Sequence, residues 1–419
     1  MATAGKYLIP FRADKNSAGE LFELHLYVDA TKDESGTFTT ETLEAENLNI
    51  WLKDWGTVIE RLDDREFSLS SSFMDVVLLD MSGWLVDLFE ADLLVWDNLK
   101  ILFYKYVSGT WEKEFVGFAN NEFRFNIKNK ELSIEFGSRN DRINSTPTFI
   151  DGSINNTPMG SGFSQSSLSD YFLVTDVIER LFKIANPDLT EVKIEHDWIF
   201  RDGNIGYSYS KTLEEIYFQT KYLCQVETLG GWVSNGMNSY GDVLRTLAFD
   251  LGCIAGFTDG ETAIFQNIFS PYNTVNIQEH QVLDYERANE GYYSLSYIRV
   301  FNSQSVFATV GTVSSIPEDG LEKYGYSDVY RFFGADDLWH NMNAIYNPEI
   351  GFYVKEDFQA LFWAKYFLRD LIMRRDSLTV SGHTIKIFNT VVYRGINYRP
   401  VEIERNYLKN QSKLKLMIL

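Results

Sequence analysis

The residues best suited to chemistry are few and scattered. The chain has five histidines: His25, His196, His280, His340 and His383. No two have the spacing that sets two imidazoles around a zinc ion, and no H-E-x-x-H occurs. Glu195-His196-Asp197 is the densest titratable group, and at a strand end it reads as a solvated triplet rather than a catalytic one. A nucleophilic serine of the hydrolase type needs a G-x-S-x-G elbow, and phosphate cradling needs G-x-x-x-x-G-K-[ST]; neither is present. Asp29, Asp33, Glu34 and Ser35, before Gly36, suggest a calcium loop. However, the glycine is misplaced for an EF-hand and the closing glutamate is missing, so an exposed hairpin loop is expected.

Acidic neighbours occur at Asp63-Asp64, Glu214-Glu215 and Asp336-Asp337. Glycoside hydrolysis needs two carboxylates facing each other across a cleft, and adjacency along the chain does not supply that. Trp51 with Trp55, or Trp84 with Trp96, could stack on a sugar; core or subunit contacts are the commoner fate of such side chains. Cys224 and Cys253 form no C-x-x-C pair and lack the further ligands of a zinc site. Both lie in apolar surroundings, which points to buried free thiols, with a disulfide between them left open. No catalytic, cofactor-binding or metal-ligating residue is assigned, no cofactor is implied, and an enzyme is not expected.

The elements that surround these residues are mostly strands. The 419 residues suffice for two to four domains. Hydrophobic residues make up 45% and charged ones 23%, which favours a packed core over disorder. Aromatics reach 15% with only 8 Pro, which favours β structure. Phe22, Leu24, Leu26 and Val28 alternate with Glu23, His25 and Tyr27, the period of a half-buried strand. Lys100 to Val107 and Trp111 to Phe118 flank Ser108-Gly109-Thr110 as a hairpin. A second hairpin alternates Phe123, Phe125 and Ile127 before Lys128-Asn129-Lys130, and Leu132, Ile134 and Phe136 after it.

Residues 145–170 are rich in Ser, Thr, Asn, Gly and Pro and read as a polar linker or arm. Helices are expected beyond it. Val177, Ile178, Leu181, Phe182 and Ala185 follow Thr175 as N-cap and end at Asn186-Pro187. Thr212-Leu213-Glu214-Glu215 fits a capping box. Leu244, Leu247, Ala248 and Leu251 form a third helical stripe ended by Gly252. A hairpin of Cys253 to Phe257 and Thr262 to Gln266 turns at Asp259-Gly260. The last third is β-rich from Val275 to Val313, then helical from Glu356 to Arg375. It closes with strands Ser377 to Val380, Tyr393 to Tyr407 and Lys413 to Leu419.

The net charge of −21 excludes a tight or sequence-specific nucleic-acid binder, which needs clustered cations. Arg374-Arg375, the nearest approach to a cluster, falls where a helix C-terminus favours positive charge. No stretch of eighteen apolar residues and no signal peptide is visible.

Three segments carry a family resemblance. The first runs from Phe67-Ser68-Leu69-Ser70 through Lys100-Ile101-Leu102-Phe103-Tyr104 to Phe115-Val116-Gly117-Phe118. The second runs from Tyr240-Gly241-Asp242-Val243-Leu244-Arg245-Thr246-Leu247-Ala248 to Gly252-Cys253-Ile254-Ala255-Gly256-Phe257. The third is the Phe358 to Arg375 helix with Leu378-Thr379-Val380-Ser381-Gly382, then Tyr398-Arg399-Pro400-Val401-Glu402-Ile403 and Lys413-Leu414-Lys415-Leu416. In this order they resemble the baseplate hub family of phage tails, which includes late-control D proteins and the hub-like N-terminal part of tail-associated proteins. At Asn389-Thr390-Val391-Val392 the chain departs from the Gly-Asp pair and basic residue that the family often carries.

The resemblance implies a mainly β fold with an α+β insertion, two related tube-type β-barrels bracketing a helix-containing middle. The first barrel would span 1–144, the polar linker 145–170, the inserted α+β domain 171–272, and the second barrel 273–419 with its helix at 356–375. It implies a homotrimer in the virion, assembled in host cytoplasm. The six-fold tail tube or a distal tail protein would lie above it, with a spike, fibre or plug and the tape measure protein as further partners. DNA would transit an acidic lumen without sequence-specific contact. The alternatives are a distal tail protein or other baseplate adaptor, and a host-surface glycan-binding or glycan-cleaving β protein.

Overall fold

The computed structural model describes residues 7–13, 15–28, 41–62, 69–91, 95, 99–140, 143, 149–150, 171–196, 200–201, 210–211, 217–219, 224–228, 231–233, 239–258, 261–268, 270–287, 298–301, 309–313, 345–347, 352–353 and 376–419. The expected helix at 356–375, the loop at Asp29 to Gly36 and most of the 145–170 linker lie outside them.

The N-terminal lobe follows its alternation. Its strands are β1 (Tyr7–Ala13), β2 (Phe22–Val28), β3 (Glu41–Thr42), β4 (Ile50–Asp54), β5 (Thr57–Leu62), β6 (Ser70–Asp80), β7 (Lys100–Val107), β8 (Thr110–Asn126) and β9 (Glu131–Gly137). They pair in the order β5–β6–β9–β8–β7–β2–β1–β3, with β4 also on β6. Phe22, Leu24, Leu26 and Val28 are buried, as period two demands. They meet Phe103, Phe115, Ile134 and Phe136 in one apolar cluster. Helix α1 (Trp84–Ala91) adds Leu85, Leu88 and Phe89 to it. The buried Asp80 carboxylate accepts from Trp84 N (3.0 Å) and Leu85 N (2.9 Å), satisfying amides that a helix start leaves open.

The β7–β8 turn places Ser108 and Gly109 at φ 49° and 100°, the handedness a two-residue hairpin needs. Ile127, expected on a buried face, is 73% exposed because the strand ends at Asn126 and Ile127 begins the turn. Gly117 has a steric reason: a Cβ there would lie 2.6 Å from the Phe115 ring and 2.7 Å from Phe136 Cβ.

The middle module contains α2 (Val174–Ala185), α3 (Tyr240–Asp250), β10 (Val192–Glu195), β11 (Cys253–Thr258) and β12 (Thr262–Asn267). The sheet order is β10–β12–β11, with β10 parallel to β12. Val177, Ile178, Leu181 and Phe182 of α2 pack with Leu244 and Leu247 of α3, and with Leu251 just after it, in a second apolar cluster. Asn186 ends α2 as expected, but Leu173 occupies the N-cap position, and Thr175 falls inside the first turn without a cap role. Ser239 and Asp242 cap α3 reciprocally: Asp242 N donates to Ser239 Oγ and Ser239 N to Asp242 Oδ2. Gly252 ends it at φ 64°. Thr212-Leu213-Glu214-Glu215 lies outside the described residues; beyond it, Tyr217–Gln219 is a strand paired with Tyr171–Leu173 and Ile345–Asn347.

The C-terminal lobe has β13 (Thr274–Asn276), β14 (Val282–Arg287), β15 (Asp376–Ser381), β16 (Thr390–Tyr393), β17 (Ile396–Asn406) and β18 (Gln411–Ile418). Leu378, Val380, Ile387, Val391, Ile403, Leu414 and Leu416 build its core. The single strand expected from Tyr393 to Tyr407 is two strands. Arg394 (φ 51°) and Gly395 (φ 74°) make a tight turn that folds β16 onto β17.

The fold is mainly β with few helices. One sheet runs β14–β15–β18–β17–β5–β6–β9–β8–β7–β2–β1–β3 through both lobes. Among the described residues no ladder closes into a barrel. β5 gives one edge to β6 and the other to β17, which joins the two lobes.

The middle module meets the N-terminal lobe where Leu69 bridges Ala255. A Cβ on the next residue, Gly256, would overlap Ser70 Oγ and sit 3.0 Å from Asn140 Nδ2. Overpacking of this kind costs about 1–3 kcal/mol. Gly256→Ala should therefore lose about that much stability in urea unfolding, and adding Ser70→Gly should recover part of it.

Candidate functional site at the seam between the lobes

The seam starts from two strands that break their own pattern. On β5, Val58, Glu60 and Leu62 share the buried face; on β17, Val401, Ile403 and Arg405 do so, and Tyr407 continues the register. One charge of each sign thus points inward. The strands pair antiparallel from Glu402↔Arg61 to Asn406↔Thr57, which brings the two charges together. Arg405 Nη2 donates to Glu60 Oε1 at 2.8 Å, with side chains 0% and 3% exposed. Glu60 Oε2 accepts from Ile387 N at 3.0 Å, so both carboxylate oxygens are used. A buried charge is tolerated only when paired and hydrogen-bonded in this way.

Tyr407 carries the C-terminal lobe into the core of the N-terminal one. Its ring is fully buried and stands edge-on to Phe103 (centroids 4.9 Å) and Phe22 (5.6 Å), with Trp55 at 6.5 Å. Its hydroxyl donates to Glu114 Oε2 at 3.2 Å. Glu114 also pairs with Lys386 at 2.8 Å. Burial pushes the Glu114 carboxyl up, but the charges of Lys386 and Arg405 outweigh it and hold the group below its usual range. Backbone contacts complete the joint: Asn16 Nδ2 donates to Tyr407 O (3.0 Å) and Ser17 N to Leu408 O (3.2 Å).

His383 sits beside Tyr407, its ring centroid 4.6 Å away. Lys105 Nζ lies 2.9 Å from His383 Nε2, and His383 Nδ1 lies 3.1 Å from Asn410 Oδ1. An ammonium can only donate, so Nε2 accepts and Nδ1–H donates to Asn410. Burial, then the charge of Lys105, lowers the tendency of this imidazole to protonate. Lys105 also pairs with Glu20 at 2.6 Å. Burial raises the Glu20 carboxyl, but hydrogen bonds from Lys105 and Asn16 bring it below the ordinary value.

Two further buried arginines hold the middle module. Arg139 Nη1 donates to Ala185 O at 2.9 Å, and Glu261 pairs with both Arg139 and Lys113. Arg399, fully buried, donates to the carbonyls of Ile268, Ser270, Phe388 and Asn389 at 2.8–3.1 Å. Burial takes its pKa down to about 10.

The chemistry-bearing residues singled out in the sequence do not converge. His25 pairs with Glu23 at 2.6 Å on β2. Glu195 and His196 end β10, His280 lies in a short exposed 3-10 turn, and Asp197 and His340 fall outside the described residues. Asp63-Asp64, Glu214-Glu215, Asp336-Asp337, Trp96 and Arg374-Arg375 also fall outside. Trp55 is core, Trp51 is 45% exposed, and Trp84 meets Tyr7 edge-on, so no paired tryptophan platform forms from them. Cys253 is buried, its thiol donating to Leu251 O at 3.4 Å; Cys224 lies on the Cys224–Thr228 strand. Among the described residues, no group of three or more His, Cys, Asp or Glu side chains could hold a metal ion. No helix there is long and apolar enough to cross a membrane.

No family model and no curated protein matches the chain. Solved structures do resemble it. The 43 kDa tail protein of prophage MuSo2 from Shewanella oneidensis is 9% identical with a TM-score of 0.45, covering 88% of this chain and 95% of that one. The prophage tail protein gp18 from Listeria monocytogenes EGD-e is 10% identical with a TM-score of 0.42, covering 87% and 89%. A chain of the lidless PdpA-VgrG complex is 8% identical with a TM-score of 0.36, covering 88% of this chain and 65% of its own length.

Breaking a buried pair on one side costs about 3–5 kcal/mol, whereas replacing both partners by apolar groups is often neutral. Arg405→Met alone should lower unfolding stability by about that amount. Arg405→Met combined with Glu60→Leu should return most of it, as a double-mutant cycle in guanidinium would show.

Proposed function

We propose that this chain is a structural, non-enzymatic component of a phage tail and serves there as the baseplate hub. The observation that carries this reading is the β5–β17 union, by which one subunit holds two β lobes edge to edge in a single sheet. A collar that must match a six-fold tube above and a three-fold tip below can be built from three such subunits, each supplying two positions. In this reading residues 1–144 and 273–419 are the two tube-type units, 171–272 is the inserted module, and 145–170 is a contact arm. Pairing strand edges inside the subunit also removes edges that would otherwise invite aggregation.

The net charge of −21 supports a genome-ejection channel. A wall of like charge repels phosphate and gives transiting DNA no adhesive surface. The tail tube or a distal tail protein would dock above the ring, and a spike, fibre or plug with the tape measure protein below or within it.

Isolated tail tips should contain three copies of this chain, measured by native mass spectrometry or by cryo-electron microscopy. Six copies would instead make it a distal tail protein or other adaptor. The same reconstruction should show more acidic than basic side chains facing the channel; a basic channel would remove the ejection role.

A further inference from the structure

The seam holds a closed set of charges. Glu20, Glu60 and Glu114 pair with Lys105, Arg405 and Lys386 respectively. Three carboxylates thus face three cations, and His383 stands among them as a neutral ring. Its neutrality follows from the lysine donor at Nε2, because a second proton there would set two N–H donors against each other 2.9 Å apart. Two carboxylates act on His383 in the opposite sense, but both are already engaged: Glu20, 3.8 Å from Nε2, is held by Lys105 and Asn16, and Glu114 by Lys386 and Tyr407. Asn410 occupies Nδ1, and Phe22 and Tyr407 cover the ring. Any proton taken up by His383, Glu20 or Glu114 therefore leaves one uncompensated positive charge at the joint.

We propose that the seam is a charge-balanced latch that releases on proton uptake, freeing the two lobes to swing while each still grips the middle module. The grip that remains uses other side chains; its one carboxylate, Glu261, is raised by burial but held below its usual range by Lys113 and Arg139. The N-terminal lobe holds the module through Arg139, Lys113 and the Leu69–Ala255 bridge, and the C-terminal lobe through Arg399. Arg399 is a suitable anchor because its four acceptors are backbone carbonyls, which do not titrate.

The sign is the same for each shifted group. The unfolded or opened chain protonates His383 near its ordinary 6.5, while the closed seam resists. Closure is therefore fully favoured above that value and weakens as pH falls below it. Glu20 and Glu114, held below their ordinary 4.5, add a second loss in the carboxylate range. The latch thus loosens first through the histidine and then through the acids. This device goes beyond the hub reading and stands whichever place in a tail the chain occupies.

Hydrogen-exchange mass spectrometry on the full chain tests it, with rates corrected for the pH dependence of intrinsic exchange. Between pH 7.5 and 5.0, amides of 57–62 and 402–406 should lose protection at least tenfold, while the α2–α3 and β11–β12 amides keep theirs. His383→Gln places a carboxamide where Nε2 was, able to accept from Lys105 but not to titrate. It should keep the seam protected at pH 5.0. An Ile59→Cys/Glu404→Cys disulfide across the seam, at directly opposed positions, should do the same until reduced; this arm keeps the test valid if His383→Gln fails to fold. Wild-type protection unchanged at pH 5.0 would overturn the proposal. So would loss at the same pH in the wild type and in His383→Gln, or loss in the oxidised disulfide form.

Discussion

Everything in this molecule turns on one buried ion pair on two paired strands. Arg405 and Glu60 lie 345 residues apart in sequence and 2.8 Å apart in space. Neither charge can remain in an apolar interior without the other. Their meeting fixes which edge of β5 faces which edge of β17, and in which register. A slip of β17 by one residue would turn Arg405 outward and Glu404 inward, leaving Glu60 buried without its cation. The pair therefore selects one arrangement of the two lobes more than it adds stability, a role best understood as specificity.

The rest of the joint elaborates that choice. Tyr407 continues the β17 register into the aromatic core of the other lobe, so the N-terminal cluster is completed by a C-terminal residue. Its hydroxyl needs an acceptor once buried, and Glu114 supplies it while Lys386 balances Glu114. Each polar group brought in demands the next, which is why the seam is a network rather than a single contact. The middle module is fastened differently. Its ties are guanidinium groups on carbonyls, a steric fit at Gly256 and the pairing of Glu261 with Arg139 and Lys113.

Much of the fold could be read locally. The alternation of Phe22 to Val28, the Ser108-Gly109 turn, the α3 stripe ended by Gly252 and the β11–β12 hairpin all appear where their residues dictate. Local signals mislead where several compete: Thr175 has a cap's chemistry but sits inside α2, and Arg394-Gly395 splits an otherwise continuous apolar pattern into two strands. The seam was not legible in the same way. Its signal was present, since Glu60 and Arg405 each occupy a core-facing register among aliphatic neighbours. What one strand cannot announce is its partner, because pairing across hundreds of residues leaves no local period. His383 was likewise only one of five scattered histidines until Lys105 and Asn410 were seen around it.

The shared strand also imposes an order of events in time. β17 engages β16, β18 and β5, and lies near the C-terminus, whereas β5 is made early. During synthesis Phe22, Trp55 and Phe103 must wait, unsealed, for Tyr407 to emerge from the ribosome. Long-range closure of this kind is slow and leaves aromatic surface open to misassociation. A nascent chain stalled before residue 396 would be a natural client for a chaperone, whereas the finished chain, with that surface covered, would not.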